Sequence, residues 1–322
     1  MDERARIAML SRLLGAGAPG VRVGIGDDAA VLDATDARRI VWTVDEQVEG
    51  VHFRRDLVSD RDIGWRSFMA AASDVAAMGA EPWCALCALV LPDTVDDAGL
   101  EAIAGGQREA AEALGAPVVG GNLSRGPVLS IATTLLGRCE RAIERRGAVA
   151  GDGVWLAGSV GLAAAGLDAL KRGIDVGAVA AAVAAWRRPR ALVAEGRAMS
   201  AAAHAAIDVS DGLARDAAHV AEASGVCIVI DEAPLLAQRE LVSAASALGA
   251  DALGFALHGG EDYALVAASP APIAGFRRIG EVRPGRGLVL RTPAGERPIE
   301  PLGFDHFAPV TSRSRPPGAS GS

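Results

Sequence analysis

The chain has 322 residues and a formal net charge of −8; half of it is hydrophobic, yet only 4% is aromatic. That length predicts two domains rather than one, with cores built from Ala, Val, Leu and Ile. The acidic balance argues against a nucleic-acid binder, which would carry a basic face, and no apolar run reaches membrane-spanning length.

Residues 2–14 place Ile7, Leu10, Leu13 and Leu14 at helical spacing, and Gly15 to Gly20 ends that helix. Asp2, Glu3, Arg4 and Arg6 alternate in sign and do not make a signal peptide, so a cytoplasmic setting without disulfides is expected. Val21 to Leu32, VRVGIGDDAAVL, sets two strand-like arms around a first acidic loop with Asp27-Asp28. The apolar run 39–44 predicts a buried strand. It leads into a second acidic stretch, Val44 to Phe53, where Asp45, Glu46 and Glu49 crowd together.

Residues 60–78 predict a helix capped by Asp60 and stopped by Gly79. Phe68, Met69, Ala72, Val75 and Ala76 form its buried side, and Ser73-Asp74 lies in its last half. Trp83 to Leu91 reads as a strand. It holds Cys84 and Cys87, which face opposite ways in a strand and have no second Cys or His pair at zinc spacing. Asp96 to Leu114 is a helix ended by Gly115. Pro117 to Gly121 is a short strand running into a Gly-rich loop, Gly120 to Gly126, and Val128 to Gly137 is a further strand. A first domain, residues 1–140, closes here.

A second domain, 141–310, opens on a linker, Arg145 to Asp152. Val154 to Ala157 is a strand, followed by the loop Gly158-Ser159-Val160-Gly161 and a helix from Leu162. That loop lacks a full G-x-G-x-x-G. Residues 177–186 form an Ala-rich helix, then Arg187-Arg188-Pro189-Arg190, then a helix from near Pro189 to about Ala203. In AAIDVSDG, Ala205 to Gly212, the strand ends at Asp208, and Ser210 or Asp211 is expected to cap the helix Leu213 to Ala223. A helix start favours phosphate, but two aspartates there repel one unless a divalent cation bridges them. Leu257 to Tyr263, LHGGEDY, is the last acidic loop. Residues 311–322, rich in Ser, Pro, Gly and Arg, form a disordered tail.

Each acidic loop alone reads as solvated surface. Five of them, each with Gly or Ser beside Asp or Glu, have one shared explanation: loops converging on several divalent cations. Oxygen-only donors select Mg²⁺, and several Mg²⁺ ions suit a phosphate-rich substrate. The residues alone therefore predict nucleotide-dependent phosphoryl transfer. No Walker A motif or kinase-type catalytic loop is present.

GIGDDAAVL, VDEQVEGVHF, SDVAAMGAEP, GGN-x-SRG, IDVSDGL and GGEDY follow one another along the chain. In this order and spacing they resemble the thiamine-monophosphate kinase family, within the aminoimidazole-ribonucleotide-synthetase-like ATP-binding superfamily, over residues 1–310. The resemblance implies an α/β (α+β) fold of two domains. The N-terminal mixed sheet with helices would form the interface of a homodimer, and the C-terminal α/β domain would complete the site. It implies direct in-line transfer of the γ-phosphate of ATP, the co-substrate, to thiamine monophosphate, giving thiamine diphosphate. Several Mg²⁺ ions would assist, and neither nucleic acid nor membrane would be a partner.

By position, the resemblance assigns metal ligation to Asp28, Thr43, Asp45, Asp74 and Asp208, with Asp211 and Asn122 at further ions. Gly121, Asn122, Arg146 and Ser210 would contact the nucleotide, and His52, Glu261 and Phe304 the thiamine phosphate. Asp208, Asp211 and Arg146 would carry catalysis. The chain departs from the family in three places: Asn122 replaces the usual Asp, Val44 interrupts a Ser/Thr-Thr-Asp run, and Glu46-Gln47 replaces a small or apolar pair. These changes are expected to weaken one metal site, for which Glu46 is a replacement carboxylate. Two other readings stay open: a related superfamily enzyme that activates another acceptor with ATP, and a non-catalytic nucleotide- or thiamine-phosphate-binding protein.

Overall fold

The computed structural model describes residues 21–23, 27, 30–33 and 38–304. The helix expected over 2–14, Asp28 and the tail 311–322 lie outside the described residues. The first sheet has six strands: β1 (Val21–Val23), β2 (Ala30–Asp33), β3 (Arg39–Val48), β4 (Glu81–Leu91), β5 (Val118–Arg125) and β6 (Ser130–Cys139). Their order is β1-β2-β3-β6-β4-β5, antiparallel except for the β4–β5 pair. Helices α1 (Asp60–Ala77) and α2 (Asp97–Leu114) belong to this half.

The second sheet has seven strands: β7 (Gly153–Ala157), β8 (Ala205–Val209), β9 (Cys227–Asp231), β10 (Ala264–Ser269), β11 (Arg277–Arg283), β12 (Gly287–Thr292) and β13 (Gly295–Pro298). Their order is β13-β12-β9-β11-β7-β10-β8. Its helices are α3 (Leu162–Arg172), α4 (Ala180–Arg187), α5 (Val193–Met199), α6 (Leu213–Ser224), α7 (Glu232–Leu236), α8 (Arg239–Leu248) and α9 (Ala252–His258). No single helix among the described residues is long and apolar enough to cross a membrane.

Helix α1 is the wall the two sheets share. A helix that is apolar all round must be buried all round, and the second half of α1, FMAAASDVAA, is of that kind. Phe68, Met69, Ala72 and Val75 pack with Val41, Ala85 and Leu135 of the first sheet. Ala76 and Ala77, on another side, pack with Ala157, Ala206 and Leu265 of the second. Strands β8 and β10 are consequently buried along their whole length. The many alanines of this contact let the elements approach closely. Helix α2 crosses α1 at paired glycines: a Cβ on Gly64 would overlap the carbonyl of Ile103, and one on Gly106 that of Arg61.

Three local expectations change. Ser59, not Asp60, caps α1, its Oγ accepting from the N–H of Asp62 at 3.1 Å. The Gly-rich segment 120–126 is strand as far as Arg125, because β4 offers it an open edge for parallel pairing. Gly121 sits so close to the Cys87 carbonyl that no Cβ fits. The helix expected from Pro189 to Ala203 shrinks to α5, since Pro189 disfavours helix in the residue before it and Val193 is the first regular position. All four cysteines are free thiols.

Replacing Gly64 or Gly106 by Ala overpacks the α1–α2 crossing. Thermal denaturation should show a loss of about 1–3 kcal/mol for either, with no comparable loss for Gly177→Ala, where a Cβ meets no neighbour and the backbone is not left-handed.

Candidate active site

Strand pleating decides which acids meet. Side chains alternate across a strand, so Thr43, Asp45 and Gln47 of β3 share the inner face while Trp42, Val44 and Glu46 point outward. The Thr43 hydroxyl donates to Asp74 Oδ2 at 2.5 Å, and Gln47 Nε2 donates to Asp45 Oδ1 at 2.9 Å. Next to Asp74 on α1, Ser73 reaches the other way, and its hydroxyl donates to Asp208 Oδ2 at 2.6 Å. Two neighbouring helix residues thus tie Thr43 of the first sheet and Asp208 of the second. Glu46, expected as a replacement carboxylate, lies on the outer face and accepts from Ser130 Oγ at 2.6 Å. It does not join Asp45, because adjacent strand residues cannot face the same side.

The loop after β8 is shaped from within. Gly212, not Ser210 or Asp211, is the N-cap of α6, and it offers no side chain. The buried carboxylate of Asp216 folds back instead. Its Oδ2 accepts from the N–H groups of Ser210, Asp211 and Gly212 at 3.1, 3.1 and 3.2 Å. The anion position expected for phosphate at this helix start is filled by the chain's own acid, so Ser210 and Asp211 present side chains rather than amides. Beside them, the N–H of Glu261 donates to Ser210 O at 2.7 Å and that of Tyr263 to Val209 O at 2.8 Å. Both residues take positive φ, 63° and 50°, a conformation that usually marks a functional loop.

These elements enclose a cavity of about 370 Å³ between the two domains. Asp45, Gln47 and His52 line it from the first, and Ser210, Asp211 and Glu261 from the second, with Phe304 closing one side. The phenol of Tyr263, also in the wall, is held well above its ordinary pKa, first by burial and then by the charges of Glu261, Asp45 and Asp208. His52 Nδ1 accepts from the Val48 N–H at 2.9 Å. The proton of the neutral ring is therefore on Nε2, a donor suited to a phosphate oxygen. Lys171 adds a cation at the rim.

The donor set suits a hard divalent cation. Every candidate ligand is an oxygen, and Gln47 Oε1 is buried with no hydrogen-bond partner. Among the described residues, no three His, Cys, Asp or Glu side chains are gathered into a metal-binding group. A cation here would keep waters and take phosphate oxygens, as Mg²⁺ does.

Of the residues expected in the site, Asp45, His52, Ser210, Asp211, Glu261 and Phe304 line one cavity. Thr43, Asp74 and Asp208 are joined by the hydrogen bonds just described. Asn122 and Gly121 lie on β5, the edge strand, three strand spacings or about 14 Å across the sheet from β3. The register aligns Asn122 with Ala88 and Ala132, and through them with the outward Glu46. Arg146 is exposed and pairs with Glu144 at 3.2 Å. The neighbouring Arg145 N–H donates to Asp27, in the first acidic loop, at 3.1 Å. Sequence reasoning missed Asp216, Arg66 and Trp186. An arginine inside an otherwise apolar, buried helix was the available signal for Arg66, since arginine is almost never fully buried unless paired.

The fold and cavity define a two-domain α/β architecture with a site between the domains. The family model "AIR synthase related protein, N-terminal domain" matches residues 26–139, and its C-terminal counterpart matches 149–292. Thiamine-monophosphate kinase of Aquifex aeolicus is 34% identical over 290 residues, covering 88% of this chain and 92% of that protein. The Mycobacterium tuberculosis enzyme is 38% identical over 301 residues, covering 90% and 88%. A solved structure, "AaThiL complexed with AMPPCP and TMP", superposes with a TM-score of 0.88 at 33% identity over 95% of this chain and 97% of that one. The hydrogenase maturation protein HypE in complex with ATP, at 21% identity, shares the fold, with a TM-score of 0.68 over 87% and 89%. The chain belongs to the thiamine-monophosphate kinase family.

Asp262 yields a pH prediction. Its carboxyl accepts from the N–H groups of Gly161 at 2.6 Å and Ala163 at 3.0 Å, closing the start of α3. Burial outweighs these bonds and pushes its pKa up to about 7. A carboxyl raised in the folded state adds stability at low pH and loses it as pH rises through the folded value. The melting temperature should therefore fall progressively from about pH 4, the ordinary aspartate range, to about pH 7 and level off above it, and Asp262→Asn should flatten that step. An unchanged step in the variant would assign the titration to another group.

Proposed function

We propose that the chain transfers the γ-phosphate of ATP to thiamine monophosphate, forming thiamine diphosphate and ADP. The observation that carries this reading is one interdomain cavity bounded on one side by the acids Asp45 and Asp211 and on another by His52, Glu261 and Phe304. It is supported by the relatives above and by the solved relative whose description names both AMPPCP and TMP.

The acceptor is already an anionic phosphate oxygen, so no base is required. The barrier is the approach of two polyanions, and positioning with charge neutralisation lowers it. Asp45, Asp74, Asp208 and Asp211, with Thr43 and the carbonyl of Gln47, would hold Mg²⁺ ions. When bound, these neutralise charge developing on the transferred group. In this reading His52 donates from Nε2 to the acceptor phosphate, Phe304 covers the acceptor ring, and the cavity wall aligns the two phosphates for in-line displacement. Asn122, Gly121 and Arg146 would serve the nucleotide from outside this cavity.

A homodimer belongs to the same proposal. The outer face of the first sheet exposes Trp42, Val44, Trp83 and Leu86, an apolar stripe of the kind that marks a protein–protein contact. A second copy would cover it. The cytoplasm is the compartment proposed.

The product assay is direct. Purified protein with ATP, Mg²⁺ and thiamine monophosphate should yield thiamine diphosphate and ADP in equal amounts, and chelation with EDTA should stop the reaction. Asp74→Ala and Asp208→Ala should each lower kcat by at least about 100-fold, the scale on which loss of an electrostatic stabiliser acts, with far-ultraviolet circular dichroism unchanged. Near-normal rates in both variants would remove these acids from the mechanism.

A further inference from the structure

Both carboxylate oxygens of Glu261 are held by buried partners from other elements. Arg66, on α1, is wholly buried, and its Nη2 donates to Glu261 Oε1. Its Nη1 donates to the main-chain oxygen of Trp186 at 3.0 Å, and its guanidinium stacks 4.6 Å from the centre of the Trp186 ring. Trp186, at the end of α4, is 1% exposed. Its indole Nε1 donates to Glu261 Oε2 at 2.7 Å. One acid of the C-terminal domain is thus clamped by a cation of the N-terminal domain and an indole of its own.

The clamp has two physical effects. A buried guanidinium is tolerated only with its carboxylate in place, so α1 and the loop carrying Glu261 are locked together. Arg66 also cancels the charge of Glu261 locally. The carboxylate keeps lone pairs for further acceptance without adding repulsion against an incoming phosphate. Glu261 still lines the cavity, on a backbone with φ 63° held by the Ser210 carbonyl. A side chain fixed this firmly can select a ligand.

We infer that Arg66 and Trp186 are positioning residues that aim the Glu261 carboxylate at the acceptor's cationic, amino-bearing heteroaromatic rings, and so set affinity for the acceptor and not for the nucleotide. The inference rests on the kinase reading of this cavity. Trp186→Phe removes the Nε1–H donor together with one ring of the buried indole, so a lowered melting temperature is expected as well. It should raise KM for thiamine monophosphate about 10- to 150-fold, the range for loss of one hydrogen bond to a charged group. KM for ATP should stay within about 2-fold, which a general loosening of the fold would not allow. Arg66→Lys, which keeps the charge but loses the fork, should show the same selectivity.

The double variant Trp186→Phe with Glu261→Gln should be no worse than Glu261→Gln alone, because the indole acts through that carboxylate. An unchanged KM for thiamine monophosphate in Trp186→Phe, additive effects in the double variant, or a parallel rise of both KM values would each overturn the inference. The last would reduce the clamp to a domain latch. If the wild-type protein binds thiamine monophosphate but makes no diphosphate, the kinase reading alone fails, and the same comparisons are made with dissociation constants from calorimetry. If it does not bind thiamine monophosphate at all, both readings fall.

Discussion

The hydrogen bond from Ser73 to Asp208 is the contact on which the cavity depends. Asp208 is 2% exposed, and a carboxylate so buried needs donors to remain charged. One donor comes from the other domain, 135 residues earlier in the chain. Beside Ser73, Asp74 takes the Thr43 hydroxyl, so α1 holds one site residue of each sheet, Thr43 and Asp208, at one level. Seven residues, or about two helical turns, before Ser73, Arg66 lies on the same side of the helix and grips Glu261. A single helix face therefore sets the width of the cavity at both ends.

Electrostatics explain why the site is built this way. After burial, the charges of Glu261, Asp45 and Asp208, drawn from both domains, raise the Tyr263 phenol's pKa, a field that repels phosphate unless cations intervene. Where the acceptor is read to sit, the balance shifts: Arg66 offsets Glu261, and His52 and Lys171 contribute donors. The Asp216 carboxylate, by taking three main-chain N–H groups, fills the start of α6, which would otherwise bind phosphate directly. Anions reaching the second sheet must then be held through the side chains of Ser210 and Asp211 or through ions on them.

Much of this was legible from local pattern. The helix with Phe68, Met69 and Val75 buried and the strand ending near Asp208 appear where periodicity placed them; the strand leading to Asp45 instead runs on through the acids to Val48 and is buried on one face only, because its other face is the outside of the sheet. The failures share a cause. GGNLSR reads as loop because glycines punctuate chains, yet an open edge of β4 recruits it as strand. Ser210 and Asp211 look like caps, but a side chain further along α6 takes the amides they would have served. In both cases a tertiary partner outbids the local preference.

The order of elements and the family were determined by the sequence itself, because glycine spacing, apolar periodicity and motif order are local properties. Which acids share a cavity was decided only by the tertiary structure. Asp45 and Glu46 are neighbours in the chain, but the pleat sends them to opposite faces. Asn122 carries a family motif, but its strand sits at the far edge of the sheet. Arg66 and Glu261 are 195 residues apart and form a buried pair. Such pairings arise from the packing of one buried helix between two sheets, and no local periodicity in the chain records them.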